Sequence, residues 1–396
     1  MVTNLPAEAK AAWAKVMEAK TPEEKLRALQ EFLSKVPKHK GTENLVHWVR
    51  RRIAQLRREI ELRKMKERAL RSGGGGGRKL TVEKEGDVQL IVVGPPMSGK
   101  TALLKCLTNA KVEPDDVPFS NDEPIPGMFI QDEIYFQLVK APSMMLDDYD
   151  SDLNIVTASL IRSADGVILV LDASCTQPDP VSQFKRIYDV LRAHGIYLTK
   201  PKALVRIERR HIPGVQIVGK LVNASIDDVK RLLLDYGIQG AVIHIEGEAT
   251  LDDIEDAIFR DYVYRPCIVL LNKIDLVDEE YVKYVIDQLR TNNVPVIPTS
   301  LAYCKIDRKL LAETILKTLD LIRVYTKEPG ADTYSPKPFI IRRGATVGDL
   351  AKRIHSYLYE HFKYAKVWKK DTFPNMFKRV GLNYELQDND VVEIHA

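Results

Sequence analysis

The apolar positions of the first 60 residues recur at helical spacing. Ala9, Ala12, Trp13, Val16 and Met17 share one face and predict a short first helix. Thr21-Pro22-Glu23-Glu24 is a capping box with Pro at the first helical position, opening a second helix with Leu26, Leu29, Phe32 and Leu33 on its apolar side. Pro37-Lys38-His39-Lys40-Gly41 breaks that helix. In a third, longer helix Leu45, Val49, Ile53, Leu56 and Ile60 form one stripe, while Arg50, Arg51, Arg57 and Arg58 point largely elsewhere. A helix with one apolar face must pack on something, and this one can offer its Arg face to phosphate. The glycine run Gly73 to Gly77 follows and reads as a flexible joint.

Beyond the joint the pattern changes from helical stripes to continuous apolar runs. Val88 to Val93, Ile134 to Val139, Gly166 to Leu171 and Cys267 to Leu271 read as buried strands with helical patterns between them. That alternation predicts an α/β, doubly wound, mainly parallel sheet. A second pattern interrupts it. Ala203 to Glu208, a turn at Ile212-Pro213-Gly214 and Val215 to Val218 read as a hairpin. A helix at Ile226 to Tyr236, a strand at Ala241 to Ile245 and a helix opening near Thr250 complete a small inserted α+β unit. Arg206, Arg209, Arg210 and His211 give the hairpin a basic tip, either an RNA contact or a solvated turn.

The tail has its own order. Phe339 to Arg342 reads as a strand, Thr346-Val347-Gly348-Asp349 as a capping box opening a helix to about Phe362, and Val391 to His395 as a last strand. That order suits a β-grasp, ubiquitin-like module. Lys363, Lys366, Lys369, Lys370, Lys378 and Arg379 interleave with Tyr364, Trp368, Phe373 and Phe377. Such a mix either stacks on and neutralises RNA or is an aromatic core under solvated lysines. The expected divisions are a helical arm at 1–72, a linker at 73–79, a nucleotide-binding domain at 80–197 and 261–325, the insert at 198–260 and the tail at 326–396.

Composition narrows the class. The 396 residues are 45% hydrophobic, which argues for buried cores rather than wholesale disorder. No apolar run approaches the roughly 20 residues of a membrane span, and the charged start carries no secretory signal. The expectation is a cytoplasmic protein without a membrane partner. Cys106, Cys175, Cys267 and Cys304 contain no C-x-x-C pair, which predicts neither a zinc ribbon nor a disulfide framework and fits a reducing compartment. The net charge of +4 hides an asymmetry: residues 1–72 hold 18 Lys/Arg against 9 Asp/Glu. A basic arm on a mildly acidic body points to a polyanionic partner or to a solvated helical face.

The chemistry concentrates in two motifs. Gly94-Pro95-Pro96-Met97-Ser98-Gly99-Lys100-Thr101 matches G-x-x-x-x-G-K-[ST] after a strand and before a helix. Glycines there let backbone N–H groups converge on phosphate oxygens, and the helix start adds partial positive charge. Lys100 would neutralise the β- and γ-phosphates and the Thr101 hydroxyl would ligate magnesium, which makes these two the candidate catalytic residues. Asn272-Lys273-Ile274-Asp275 follows the strand Cys267 to Leu271. Asp275 would accept from the two N–H groups of a guanine edge, Asn272 would brace the loop and the purine, and the Lys273 stem would lie along the base. Thr299-Ser300-Leu301 is a third expected purine contact, through backbone N–H groups.

Together these residues resemble the developmentally regulated GTP-binding proteins, a branch of the Obg superfamily of P-loop GTPases. The resemblance also rests on Ile322-Arg323-Val324-Tyr325-Thr326-Lys327 and on His355, Phe362 to Ala365, Val367-Trp368 and Asp388 to Val392, which look like that family's TGS domain. It implies GTP and GDP as ligands, Mg2+ as cofactor, and a ribosomal or RNA partner in translation. It leaves the oligomeric state open.

Three positions depart from the family pattern. Where the second switch carries D-x-x-G, this chain has Lys140-Ala141-Pro142-Ser143. The first-switch region, Phe119 to Gly127, keeps its Pro126-Gly127 ending without the expected threonines. Met97 stands where potassium-activated relatives place an Asn. Lys140 should repel magnesium and attract phosphate, leaving a slow or partner-activated GTPase; the alternative is a non-hydrolysing, nucleotide-stabilised module that binds ribosomes or RNA. Asp147, Asp148, Asp150 and Asp152 either supply substitute carboxylates or form a solvated acidic loop.

Overall fold

The structure, a computed structural model, describes residues 5–19, 21–37, 45–46, 49–50, 52–53, 56–57, 60, 82–111, 123–149, 151–210, 212–259 and 262–396. The glycine run Gly73 to Gly77, the break at Lys38 to Gly41, Phe119 to Asp122, Asp150 and His211 lie outside the described residues. Along the chain come α1 (Ala7–Glu18), α2 (Pro22–Lys35), β1 (Val88–Val93), α3 (Lys100–Leu107), β2 (Ile125–Gln131), β3 (Ile134–Lys140), α4 (Asp152–Ser163), β4 (Gly166–Asp172), α5 (Pro180–Ala193) and β5 (Ile196–Tyr197). The insert contributes β6 (Ala203–Arg209), β7 (Gly214–Leu221), α6 (Ile226–Asp235), β8 (Gly240–Ala249) and α7 (Leu251–Phe259), and β9 (Val263–Tyr264) follows. Then come β10 (Cys267–Asn272), α8 (Glu279–Arg290), β11 (Val296–Pro298) and α9 (Arg308–Thr318). The tail holds β12 (Leu321–Lys327), β13 (Phe339–Arg342), α10 (Val347–Ile354), α11 (Ser356–Glu360), β14 (Tyr364–Lys369), β15 (Phe377–Val380) and β16 (Asp390–His395).

Two compact units result. One gathers the arm with residues 145–158 and 187–264. The capping box of α2 forms as the sequence requires: Glu24 N–H donates to Thr21 Oγ1 at 3.2 Å and Thr21 N–H to the Glu24 carboxylate at 3.3 Å. The apolar stripes of the arm meet the insert. Trp13, Phe32, Val49, Ile53 and Leu56 share one core with Leu232, Leu233, Tyr236 and Ile243, and the Trp13 and Phe32 rings lie 4.9 Å apart. Lys10 pairs with Asp235 at 2.6 Å, while Arg50 and Arg57 stay exposed.

The expected hairpin of the insert does not form. The three-stranded sheet has the order β6-β8-β7, with β8 antiparallel to β6 and parallel to β7. β8 carries the densest apolar run, Ala241 to Ile243, and takes the centre where both edges are paired. The connection from β6 to β7 instead wraps the start of β8: Arg210 N–H donates to Gly240 O at 2.9 Å and Gly214 N–H to Gln239 O at 3.0 Å. A Cβ on Gly240 would stand 2.1 Å from Ile212 O, so only glycine lets the chain cross there.

The other unit holds residues 81–144, 159–186 and 265–396. Its main sheet has the order β11-β10-β4-β1-β3-β2, parallel except for the β2–β3 pair. Val88, Leu90 and Val92 of β1 and Ile134, Phe136 and Leu138 of β3 face Leu103, Leu104 and Leu107 of α3 in one core. Residues 125–131, partly expected as a switch loop, form the antiparallel edge strand. Gly127 is needed there because its Cβ would meet Thr108 Oγ1 at 2.6 Å.

The C-terminal sheet has the order β13-β12-β16-β14-β15. Because β12 pairs with both β13 and β16, this module starts near Leu321 and not at residue 326. The expected helix to Phe362 is cut at His355, whose backbone is extended and whose Nδ1 accepts from Tyr357 N–H at 3.1 Å, starting α11. On the face of the sheet away from α10, Glu393 is buried and bound by Lys327, Lys366 and His395. Burial pushes its carboxyl up, but the bonds from these three partners outweigh that and hold it at about 2. A depressed carboxyl stabilises the fold fully above its unfolded value and ceases to do so as pH falls to the folded one. Acid titration of thermal melting should show that loss between about 4.5 and about 2. Glu393→Gln should flatten this part of the profile; an unchanged slope would mean the carboxylate is not held by its partners.

Candidate nucleotide site

The phosphate loop leaves the C-terminal end of β1 at Gly94 and enters α3 at Lys100. Gly94 is required by proximity, since a Cβ there would stand 2.4 Å from Val170 O. Pro95 and Pro96 have no N–H, so they shape the turn and the donors of the cradle begin at Met97. Met97 is half-exposed in a left-handed conformation, φ 60°. Ser98 is fully buried, and Gly99 caps α3 with φ 104°. Lys100 and Thr101 open the helix, whose first N–H groups have no intrahelical carbonyl to bind. Lys100 is buried and its Nζ donates to Pro95 O at 2.7 Å, Ser143 Oγ at 3.0 Å and Gly94 O at 3.1 Å.

Asn272 couples this loop to the Thr299-Ser300-Leu301 loop. It is buried at the end of β10, where its Nδ2 donates to Ser98 O at 2.8 Å and its Oδ1 accepts from Leu301 N–H at 2.9 Å. Lys273, left-handed at φ 63°, pairs with Asp172 at 2.6 Å. Asp275 Oδ1 accepts from Ser300 Oγ at 2.5 Å. Asp275 also borders an open depression of about 550 Å³ with Leu276, Val277, Asp278 and Tyr281. The three amides expected at the purine are engaged within the protein: Thr299 N–H on Leu271 O, Ser300 N–H on Lys305 O, and Leu301 N–H on Asn272. The contribution of this loop is therefore to orient Asp275 and Asn272. The Ser300–Asp275 and Ser143–Lys100 bonds join positions far apart in sequence, and no local pattern announces them.

The cysteine expectation is corrected. Cys106 on α3 and Cys304 just after the Thr299-Ser300-Leu301 loop form a disulfide, with Cα atoms 5.4 Å apart. They are 198 positions apart, so only the fold brings them together. Cys175 and Cys267 are free, and burial pushes the Cys267 thiol up to about 12.

The second-switch segment is sealed onto the phosphate loop. Ala141 N–H donates to Val92 O at 2.9 Å and Met144 N–H to Gly94 O at 3.1 Å. Lys140 is the last residue of β3 and only 1% exposed. Asp147, Asp148 and Asp152 are exposed. Magnesium takes a near-octahedral set of oxygens, usually including carboxylates. Of the residues expected to hold it, Thr101 offers a hydroxyl, but the strand end that should bring a carboxylate brings an ammonium. Among the described residues, no group of three or more His, Cys, Asp or Glu could hold a metal. Of the expected protein ligands, the described residues supply the Thr101 hydroxyl and, at the end of β3, Lys140 in place of a carboxylate.

Three families match the chain in succession. A family described as 50S ribosome-binding GTPase covers residues 89–205, the C-terminal region of the same domain covers 213–321, and the TGS domain covers 322–396. An uncharacterised GTP-binding protein of Methanocaldococcus jannaschii is 33% identical over 94% of this chain and 92% of its own length. The chain belongs to the family of developmentally regulated GTP-binding proteins. Developmentally-regulated GTP-binding protein 1 of Xenopus laevis, 28% identical, is matched over 93% of this chain and 98% of its own length. A solved GTP-binding protein of Pyrococcus horikoshii is 17% identical, with a TM-score of 0.43 over 78% of this chain and 99% of that one. This is a P-loop GTP-binding fold with a C-terminal TGS domain. Among the described residues, no helix is long and apolar enough to cross a membrane.

Proposed function

We propose that Asp275 reads guanine, that hydrolysis is slow until a partner completes the site, and that the protein acts in translation by contacting RNA or the ribosome. Asn272 carries this reading: one buried amide grips both the phosphate loop and the loop that orients Asp275, so the two motifs serve one cleft. The second-switch segment supports slow hydrolysis, since Lys140-Ala141-Pro142-Ser143 has neither the carboxylate nor the glycine amide that would answer the γ-phosphate.

The RNA contact is read from the TGS sheet face that carries Tyr364, Lys366 and Trp368. Arg379 lies 3.9 Å from the Tyr364 ring centroid, Tyr364 stacks on His395 at 4.3 Å, and Phe377 is 55% exposed beside them. The exposed Phe377 and the half-buried Tyr364, set among cations, suit unpaired bases and their phosphates, while Trp368 beneath them is buried. The family description as ribosome-binding supports the same partner.

Calorimetric titration with GDP, ADP and xanthosine diphosphate tests the base assignment. The parent should prefer GDP, and Asp275→Asn should lose at least about a hundredfold in GDP affinity while gaining xanthosine diphosphate, because a site built for hydrogen bonds rejects a ligand that leaves them unmade. Unchanged guanine preference would remove Asp275 from the base pocket.

A further inference from the structure

The disulfide ties the phosphate helix to the turn that orients Asp275. Cys106 sits in the last turn of α3, the helix that opens with Lys100 and Thr101. Cys304 closes a small turn that begins at Ser300. Leu301–Tyr303 make one turn of 3-10 helix, and Ser300 and Lys305 exchange N–H···O bonds across its base at 3.2 and 3.0 Å. Cys106 Sγ lies 3.3 Å from Leu301 O. The first two residues of this turn do the positioning: Ser300 Oγ donates to Asp275 and Leu301 N–H to Asn272. Arg308 separately donates to Cys106 O and Leu107 O, so opening the disulfide frees the turn and not the end of α3.

Cys304 is left-handed, with φ 49° and ψ 30°. A residue with a Cβ disfavours that region, and the tether to Cys106 helps hold Cys304 in it. Once the tether is cut, Cys304 gains by relaxing to a negative φ, and the peptide that follows turns with it. That peptide carries the Lys305 N–H that bonds Ser300 O, so relaxation strains the bridge that places the Ser300 hydroxyl on Asp275. Cys304 is exposed and Cys106 half-buried, so a soluble thiol can reach the pair.

We propose that this disulfide is a redox clamp on guanine binding, closed in a tight-binding oxidised protein and opened by a dithiol. The proposal rests on the phosphate loop being a nucleotide site and on Asp275 reading the base. A thiolate of the dithiol attacks the Cys304 sulfur and displaces Cys106, which takes up a proton; the second thiol of the reductant then displaces Cys304. The protein gains two electrons and two protons as two thiols, and the dithiol leaves as its own disulfide. Apparent affinity falls with the fraction of turns still in the binding geometry. The usual cost of a left-handed residue makes that fall about five- to thirtyfold.

The test is calorimetric titration of the full chain with GDP, after oxidation by glutathione disulfide and again in excess dithiothreitol, with free thiols counted in denaturant. The count should be two when oxidised, Cys175 and Cys267, and four when reduced. The reduced protein should bind GDP about five- to thirtyfold more weakly. Because coupling between sites is reciprocal, saturating GDP should oppose reduction at equilibrium by the same factor. Cys106→Ser should bind like the reduced parent in both conditions. Adding Cys304→Asn, which tolerates the left-handed region, should recover affinity. Equal affinities at thiol counts of two and four, four thiols after oxidation, Cys106→Ser binding like the oxidised parent, or no recovery with Cys304→Asn would each overturn the clamp alone. A protein that binds no GDP in either redox state would overturn the nucleotide reading with it.

Discussion

Gly99→Ala should abolish measurable guanine-nucleotide binding. Gly99 has a φ of 104°, a conformation that costs a residue with a Cβ about 1–2 kcal/mol. The larger effect is steric. The new Cβ would stand 2.2 Å from Asn272 Nδ2 and 3.4 Å from its Cγ. Asn272 cannot swing aside cheaply, because it is buried and its amide is committed to Ser98 O and Leu301 N–H at 2.8 and 2.9 Å. Relief of the clash breaks both bonds, each worth about 1–3 kcal/mol when a buried partner is left unsatisfied. The phosphate loop and the loop that holds Asp275 would then separate. Gly330→Ala isolates the backbone cost, since Gly330 is also left-handed, φ 86°, with nothing within 4 Å of its Cβ position. Calorimetry with GDP and thermal melting of both variants should show Gly330→Ala binding like the parent and Gly99→Ala not at all. Parent-like affinity in Gly99→Ala would mean that the Asn272 brace is dispensable.

The contrast between those glycines shows what the sequence could and could not reveal. Gly94, Gly99, Lys100 and Thr101 were legible because a phosphate loop is a local device, in which a few adjacent residues impose the geometry and the chemistry together. The strands at Val88 and Cys267 were legible for a similar reason, since a strand buried on both faces writes a continuous apolar run. Couplings across the fold were not. Ser300 serves Asp275 through its hydroxyl, and Ser143 serves Lys100, yet each partner is named only by the folded arrangement. The disulfide between Cys106 and Cys304 is another such case, and the strand order of the insert a fourth. There, local alternation correctly placed β6 and β7, but the competition for the central position was decided by β8, a strand encoded about twenty residues later. His355 broke a helix that periodicity alone would have continued, because its ring offered the next turn a cap.

The arm was read as helical from its stripes, but what those stripes cover was not written in them. Phe32→Ala tests the answer that the structure gives. Phe32 is fully buried against Trp13, in the core that also holds Leu233 and Tyr236 of the insert. Truncating such a ring removes its transfer free energy and leaves a cavity, together about 3–5 kcal/mol. Lys10–Asp235, a partly exposed pair, cannot offset a loss of that size. Because arm and insert share the core, they should unfold together, and the variant should shift the whole transition of that unit to lower urea. Far-ultraviolet circular dichroism and tryptophan fluorescence, recorded in a Trp48→Phe, Trp368→Phe background so that it reports on Trp13, should move in step. A shift of less than about 1 kcal/mol, or an arm that melts alone while the insert persists, would show that the shared core contributes little. In that event the basic arm would be an independent appendage, and its exposed Arg50 and Arg57 would be free to follow a polyanionic partner without carrying the insert along.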